Sequence, residues 1–241
     1  MRRAVILLCL AACVRKPGTQ SPVPDAPPAA LASTAPQLHR GEEMAWDVFW
    51  QGMQVGRAEL VSGGQEVRAS FRTGMLANAI ASVRYDMSTV IDRGHASSTT
   101  EIMGRRGKPE ARVDAELGAA SFTLRGQAPR RTPDGQPLHT LTSALAIVRT
   151  WSQATPAPGY LWLMHGGELY RLDVFTPVSD EALGKKALRV DAVVRAMDRS
   201  VTLDVTIWLA RNRDRTPLRF VVEEGDDRVA AELVESTASF D

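Results

Sequence analysis

Residues 201–209 read Val201-Thr202-Leu203-Asp204-Val205-Thr206-Ile207-Trp208-Leu209 and alternate throughout. The odd-numbered positions are all aliphatic, and the even-numbered positions hold Thr, Asp, Thr and Trp. Because successive side chains of a strand leave opposite faces, this run predicts a β-strand with one buried face. Similar patterns at 188–194, 218–222 and 229–234 flank it, which predicts neighbouring antiparallel strands.

The same period opens the domain. Met44, Trp46, Val48 and Trp50 share one face, and Gln51-Gly52-Met53 forms a turn before the chain returns. Turn residues separate further strand patterns, at 55–62, 67–71, 85–91, 97–103, 111–117, 121–125, 160–164 and 168–175. About a dozen strands at hairpin spacing predict an all-β fold, an antiparallel meander curled or closed into a barrel.

Two segments break the alternation. Residues 140–152 place Leu141, Ala144, Leu145, Val148 and Trp151 on one stripe, and Thr140 can cap the first turn. This pattern predicts an amphipathic helix that covers one end or one face of the sheet. A second, short helix or a packed loop is predicted near residues 75–81, which are rich in helix formers.

The first residues have the pattern of an export signal. Arg2 and Arg3 precede an apolar run over 4–10, and Leu10-Ala11-Ala12-Cys13 resembles the bacterial lipobox. We expect a signal peptide over 1–12, cleavage between Ala12 and Cys13, and acyl chains on Cys13 that anchor the protein to a membrane. The alternative is an ordinary secretory peptide. An Asp directly after the cysteine would resemble an inner-membrane retention signal. Position 14 holds Val instead, which favours the periplasmic face of the outer membrane.

Composition divides the rest of the chain into a tether and one domain. Residues 13–37 are rich in Pro, Ala, Ser and Thr, and are expected to be a disordered tether ahead of a single β domain over 38–241. The formal net charge is only +1 and the basic residues form no block, so nucleic acid is not an expected partner. Cleavage would leave one cysteine, so no disulfide is expected within the mature chain.

No pattern of catalytic or metal-binding residues stands out. The four histidines, His39, His95, His139 and His165, lack short metal-ligand spacing, so no metal or cofactor is expected. His165-Gly166-Gly167 separates two strand patterns and is interpreted as a hairpin turn, since no Gly-x-Ser-x-Gly motif supplies a nucleophile. We therefore expect a protein that is not an enzyme.

The order of motifs resembles the domain of unknown function 3108 family. The resemblance rests on 41–58, which begins Gly41-Glu42 and contains Val55-Gly56-Arg57-Ala58, on 73–76 followed by Tyr85, on 138–145 followed by Arg149, and on 217–233. It departs at His139-Thr140-Leu141-Thr142, where members more usually have Asp-Pro. The resemblance implies an exported bacterial β domain, often a lipoprotein, with no established activity.

Large aromatic residues are the candidate binding residues. Trp46, Trp50, Trp162 and Trp208 could line a cavity for an apolar ligand, or they could be ordinary core residues. Two basic segments, 105–108 and 130–131, could contact anionic lipid headgroups.

We therefore expect an envelope lipoprotein that binds an apolar or lipid-like molecule. The first alternative is a structural or assembly module that docks on another envelope protein through a strand edge. The second is a hydrolase, which would need a histidine beside a serine or a carboxylate in a pocket.

Overall fold

A computed structural model of the chain describes residues 29–31, 39–78, 82–92, 95–153, 157–198 and 200–237. The expected signal peptide, with Ala12 and Cys13, lies outside these residues. Within the described part of the chain, no helix is long and apolar enough to cross a membrane.

The described residues form seventeen strands and two helices. The first half contains β1 (Ala29–Ala30), β2 (Glu43–Trp50), β3 (Met53–Ser62), β4 (Glu66–Thr73), α1 (Met75–Asn78), β5 (Val83–Asp92), β6 (His95–Arg105), β7 (Ala111–Gly118), β8 (Ser121–Leu124), β9 (Arg130–Arg131) and β10 (Leu138–His139). The second half contains α2 (Leu141–Trp151), β11 (Gly159–His165), β12 (Glu168–Val174), β13 (Val178–Ala182), β14 (Lys185–Ala196), β15 (Thr202–Ala210), β16 (Pro217–Glu224) and β17 (Asp227–Ser236).

The strands belong to one large curled sheet, and the predicted all-β meander is confirmed. Most neighbours are antiparallel hairpins, and β17 pairs with β2, which joins the two halves of the sheet. β1 and β10 are exceptions, because both pair in parallel with β11. β1 lies inside the predicted tether over 13–37, so that segment is not wholly separate from the domain.

Both predicted helical segments contain helix. α2 covers Leu141–Trp151, and Thr140 caps it in a capping box with Ser143. α1 covers Met75–Asn78, while 79–81 lie outside the described residues.

The alternating strand directions give the curl two ends. The turns at 51–52, 166–167 and 225–226 lie at one end, which we call the hairpin end, together with α1. The turns at 63–65 and 183–184 and the loop 211–216 lie at the other. α2 reaches this second end, because Arg149 bonds the carbonyl oxygen of Asp214. We call it the helix end.

The curl overlaps itself. The main core lies on the concave face, beneath α2. In a second cluster, Leu117 of β7 and Phe122 of β8 pack against the other face of β11. The β11 residues on that face are Tyr160, Trp162 and Met164. β11 is therefore covered on both faces, and all seven of its residues are buried.

Candidate functional site

An apolar cavity of about 280 Å³ lies between α2 and the concave face of the sheet. Strands from all sides of the curl line it, with Trp46, Ala58, Ala69, Phe71, Tyr85 and Met87 on one side and Leu163, Leu172, Val194, Ile207, Phe220 and Ala231 on the other. α2 adds Leu141, Ala144, Leu145 and Val148. An apolar cavity of about 150 Å³ can hold benzene, so this one can hold a small apolar molecule or part of an acyl chain.

The side chains around the cavity are incompletely packed. Ala58, Ala69, Leu145, Val205 and Phe220 border it and are only partly buried, although they pack against the core. Core side chains normally fill such space, because a void loses dispersion contacts on its lining. The unfilled volume is therefore the feature of the core that most resembles a binding site.

The C-terminal end of α2 is held by a buried ion pair. The Arg149 guanidinium donates to both carboxylate oxygens of Glu42 and also to the backbone carbonyl of Asp214. Arg149 is 1% exposed and Glu42 4%. Two motifs of the family resemblance, Gly41-Glu42 and Arg149, thus meet at the helix end.

The N-terminal end of α2 is held by neutral hydroxyl groups. Thr89 of β5 donates to Thr140 Oγ1 at 3.1 Å and accepts from Thr142 at 3.2 Å. Next to them His139 is buried, and burial together with the charge of His95 lowers the pKa of His139 to about 4. His139 is therefore neutral at physiological pH.

A buried polar cluster of Tyr85, Glu101 and His165 lies beside the cavity, which Tyr85 lines. Glu101 Oε2 accepts from the Tyr85 hydroxyl at 2.9 Å and lies 2.8 Å from His165 Nδ1. The backbone N–H of Gly166 donates to both Glu101 oxygens, at 3.0 and 3.1 Å. Burial raises the pKa of Glu101, but the interaction with His165 and these hydrogen bonds outweigh it, so the pKa lies below its ordinary value.

This cluster joins two margins of the curl. Tyr85 and Glu101 belong to β5 and β6, whereas His165 and Gly166 belong to β11 and its turn. Gly166 and Gly167 have φ values of 59° and 81°, which suit the hairpin turn predicted there. In the sheet that the structure describes, β5 and β6 share no backbone hydrogen bonds with β11. The cluster therefore links two parts of the curled sheet that are not paired through their backbones.

His165 also has a second ring nitrogen, Nε2, that takes no part in this cluster. Its Nε2 is buried and has no hydrogen-bond partner among the described residues. A carboxylate that orients an imidazole through Nδ1 leaves Nε2 free to accept a proton. The Tyr85 hydroxyl contacts the other ring nitrogen, Nδ1, at 3.2 Å.

The four candidate tryptophans are not gathered at one place. Trp46 lines the cavity, and its indole N–H donates to the carbonyl of Pro217. Trp50 is partly buried against the same core but is absent from the cavity wall. Trp162 lies in the second cluster and donates to Asp134, and Trp208 lies with the outer residues Ala182 and Ala187 and donates to Asp180.

The outer face of the sheet is largely neutralised by its own ion pairs. Arg57, Arg72, Arg84, Arg112 and Arg189 each pair with a carboxylate on the same or a neighbouring strand. Arg130, from one predicted headgroup-binding segment, bonds the carbonyl of Gly167 and pairs with Asp198.

Glu42, Tyr85 and Glu101 were not singled out as site residues from the sequence, because their partners are distant along the chain.

Comparisons with known proteins bear on the fold. The sequence matches no protein-family model and no curated protein. A β-barrel-like protein of the domain of unknown function DUF1849 from Brucella abortus is similar in structure, with a TM-score of 0.58 and 11% identity over 82% of this chain and 97% of that chain.

A candidate exported protein with a YmcC-like fold from Bacteroides fragilis is a weaker match, with a TM-score of 0.31 and 9% identity over 83% of this chain and 97% of that chain. The first similarity shows that this chain has a β-barrel-like fold, which it shares with a protein of unknown function.

Proposed function

We propose that the protein is a lipid-anchored envelope protein that holds an apolar or lipid-like molecule in the cavity beneath α2. The observation that carries this proposal is the cavity itself, about 280 Å³ within an apolar wall. Ligand sites are usually concave and mostly apolar, with few polar groups. Here Tyr85 and Thr142 are among the few residues of the wall that carry a polar side-chain group.

The proposed anchor and address come from the sequence. The Cys13 context supports acylation, and the motifs at Gly41-Glu42 and Arg149 support membership of the domain of unknown function 3108 family. Val14 supports the outer membrane, periplasmic face, over the inner membrane. The anchor is tested by palmitate labelling and cell fractionation. Cys13→Ser should lose both the label and membrane association, and a variant that keeps both would contradict the anchor.

A filled cavity tests the binding role. Ala69 borders the cavity and is only partly buried, so Ala69→Leu should occupy the volume that a ligand would use. The full chain is purified, extracted lipid is identified by mass spectrometry, and binding of a fluorescent fatty acid is titrated. Wild type should carry lipid and bind the probe, whereas Ala69→Leu should do neither.

Ala111→Leu is the matched control for this test. Ala111 is exposed on β7 and does not line the cavity, so the same substitution there should leave binding unchanged. A wild-type protein that carries no lipid and binds the probe no better than Ala69→Leu would overturn the proposal.

A hydrolase is the second candidate, since His165 lies beside the Glu101 carboxylate and next to Tyr85, which lines the cavity. It would use His165 Nε2 as the base. Ester hydrolysis by wild type that His165→Gln abolishes, while fatty-acid binding persists, would support it. The docking alternative has less support, because the edge strands β9, β10 and β1 are two residues each and offer little backbone for another strand.

A further inference from the structure

Basic side chains collect at the helix end. The β13–β14 hairpin and the loop 211–216 lie side by side there, because the backbone N–H of Arg211 donates to the carbonyl of Lys186 at 3.3 Å. Lys186, Arg211 and Arg213 are exposed. Among the described residues, these three side chains have no ion-pair partner, unlike the arginines of the outer face.

Three acids lie nearby, namely Asp214 in the loop and Asp180 and Glu181 on β13, where Glu181 lies opposite Lys186. Asp214 pairs with His39 at 3.1 Å, and its backbone carbonyl accepts from Arg149. Asp180 accepts a hydrogen bond from Trp208 and pairs with Arg189. The loop itself carries Arg211, Arg213 and Arg215 against the single acid Asp214, so it presents net positive charge.

The loop also holds like charges close together. Burial, and then the charge of Arg211, lower the pKa of Arg215. The Nε of Arg215 is buried without a hydrogen-bond partner among the described residues, and its φ is 50°. The side chain of Asn212 bonds the backbone N–H of Thr216, which fixes the loop. Such an arrangement of cations gains stability from an anion beside it.

The N-terminal segment joins the domain at the same end. Ala29 pairs with Gly159 at the start of β11, and His39 contacts Asp214 in the basic loop. A chain that comes from a lipid on Cys13 would therefore enter the domain at the helix end.

From these observations we infer that the helix end is the face that docks on an anionic membrane surface, with Lys186, Arg211 and Arg213 contacting lipid phosphates. The orientation rests on the proposed anchor, whereas the basic surface is independent of it. A basic side chain near an anionic bilayer strengthens binding about fivefold, so three should together contribute on the order of a hundredfold. The attraction should weaken as salt is added.

Vesicle co-sedimentation of the acyl-free Cys13→Ser protein tests the inference. Binding to vesicles of phosphatidylglycerol mixed with phosphatidylcholine is compared with binding to phosphatidylcholine alone. The triple variant K186Q/R211Q/R213Q should lose on the order of a hundredfold in affinity for the mixed vesicles. Inorganic phosphate, matched in ionic strength with chloride, should compete no better than chloride if the surface recognises a bilayer.

The control removes the same charge from the opposite end. Arg106 and Lys108 are exposed in the β6–β7 turn at the hairpin end, and Arg125 is exposed just after β8, so R106Q/K108Q/R125Q should bind as the parent does. Arg106 and Lys108 belong to the segment 105–108 that the sequence indicated as a candidate headgroup contact, and we assign that role to the helix end instead. Circular dichroism and urea unfolding confirm that both variants fold. Equal losses in the two variants, competition by inorganic phosphate alone, or no preference for phosphatidylglycerol would each overturn the inference. Palmitate labelling of wild type reports separately on the anchor.

Discussion

Arg149 presents its guanidinium to both carboxylate oxygens of Glu42, at 2.9 and 2.6 Å, and the side chains of the pair are 2% and 3% exposed. The pair connects the last turn of α2 to the chain just ahead of β2. The helix that covers the cavity is therefore fixed at one end by charge and at the other by the hydroxyl groups around Thr140.

Removal of one partner of this pair should be strongly destabilising. Arg149→Met leaves the Glu42 carboxylate buried without its cation, which costs about 3–5 kcal/mol in comparable buried pairs. The double variant Glu42→Leu/Arg149→Met should be clearly more stable than Arg149→Met alone. Urea unfolding of the single and double variants measures both values. A double variant that is as unstable as the sum of its singles would show that the two residues act independently.

Gly56 should not tolerate a side chain. A Cβ there would lie 2.2 Å from the carbonyl oxygen of Arg72 and 2.7 Å from the ring of Phe71. Gly56→Ala should therefore cost about 1–3 kcal/mol or more, as overpacked sites do. Gly104→Ala is the control, since its nearest contact would be an ordinary 3.7 Å to Arg84 Cβ. Thermal unfolding should separate the two variants, and equal melting temperatures would contradict the steric account.

His139 should make the domain less stable in mild acid. Its pKa is lowered from 6.5 to about 4, so between these values the unfolded chain binds the proton and the folded chain does not. Stability is therefore flat above the unfolded value and falls as pH decreases below it. At 1.36 kcal/mol per pH unit, the loss between pH 7 and pH 5 is about 2 kcal/mol. Urea titrations of wild type and His139→Gln should show this slope in wild type only.

Glu101 should contribute in the same sense as His139, but in a lower pH range, because the ordinary pKa of a glutamate lies below that of a histidine. Because its pKa is lowered in the folded state, its contribution is fully present above the ordinary glutamate pKa and is lost as pH falls through the folded value. Glu101→Gln should cost about 1–3 kcal/mol at neutral pH, since it leaves buried donors poorly matched. Tyr85→Phe, which keeps the ring, should cost less. Urea unfolding checks the order, and a reversed order would place the main interaction on Tyr85.

The strands were predictable because their signal is local. The alternation in 201–209 reports one buried face, and it survives in the structure as β15. The helix was predictable for the same reason, since its apolar stripe and the cap at Thr140 lie within a few turns. β1, β9 and β10 were not, because a two-residue strand has no period and exists only through its partner.

The polar contacts that fasten the fold depend on distances along the chain that no local pattern reveals. Glu42 and Arg149 are 107 residues apart, and Tyr85 and His165 are 80 apart. The sequence predicted a turn at His165-Gly166-Gly167, and the structure has a turn there. No local pattern indicated that the carboxylate of Glu101 would accept the backbone N–H of Gly166 in that turn. The tryptophans could be identified as bulky buried residues, although only the fold separates Trp46, at the cavity, from Trp162 and Trp208.

The junction between β2 and β17 sets a condition on how the chain reaches its native state. The first long strand that the structure describes, β2, finds its second neighbour only in β17, so the middle of the sheet stays incomplete until residue 236 has been synthesised. Contacts between residues so distant in sequence form slowly. Until they form, β2 and β16 each have an unpaired edge exposed to solvent. A chain that ends before β17 would therefore leave unpaired strand edges in the middle of the sheet. Such a chain should be a target for chaperones and proteases.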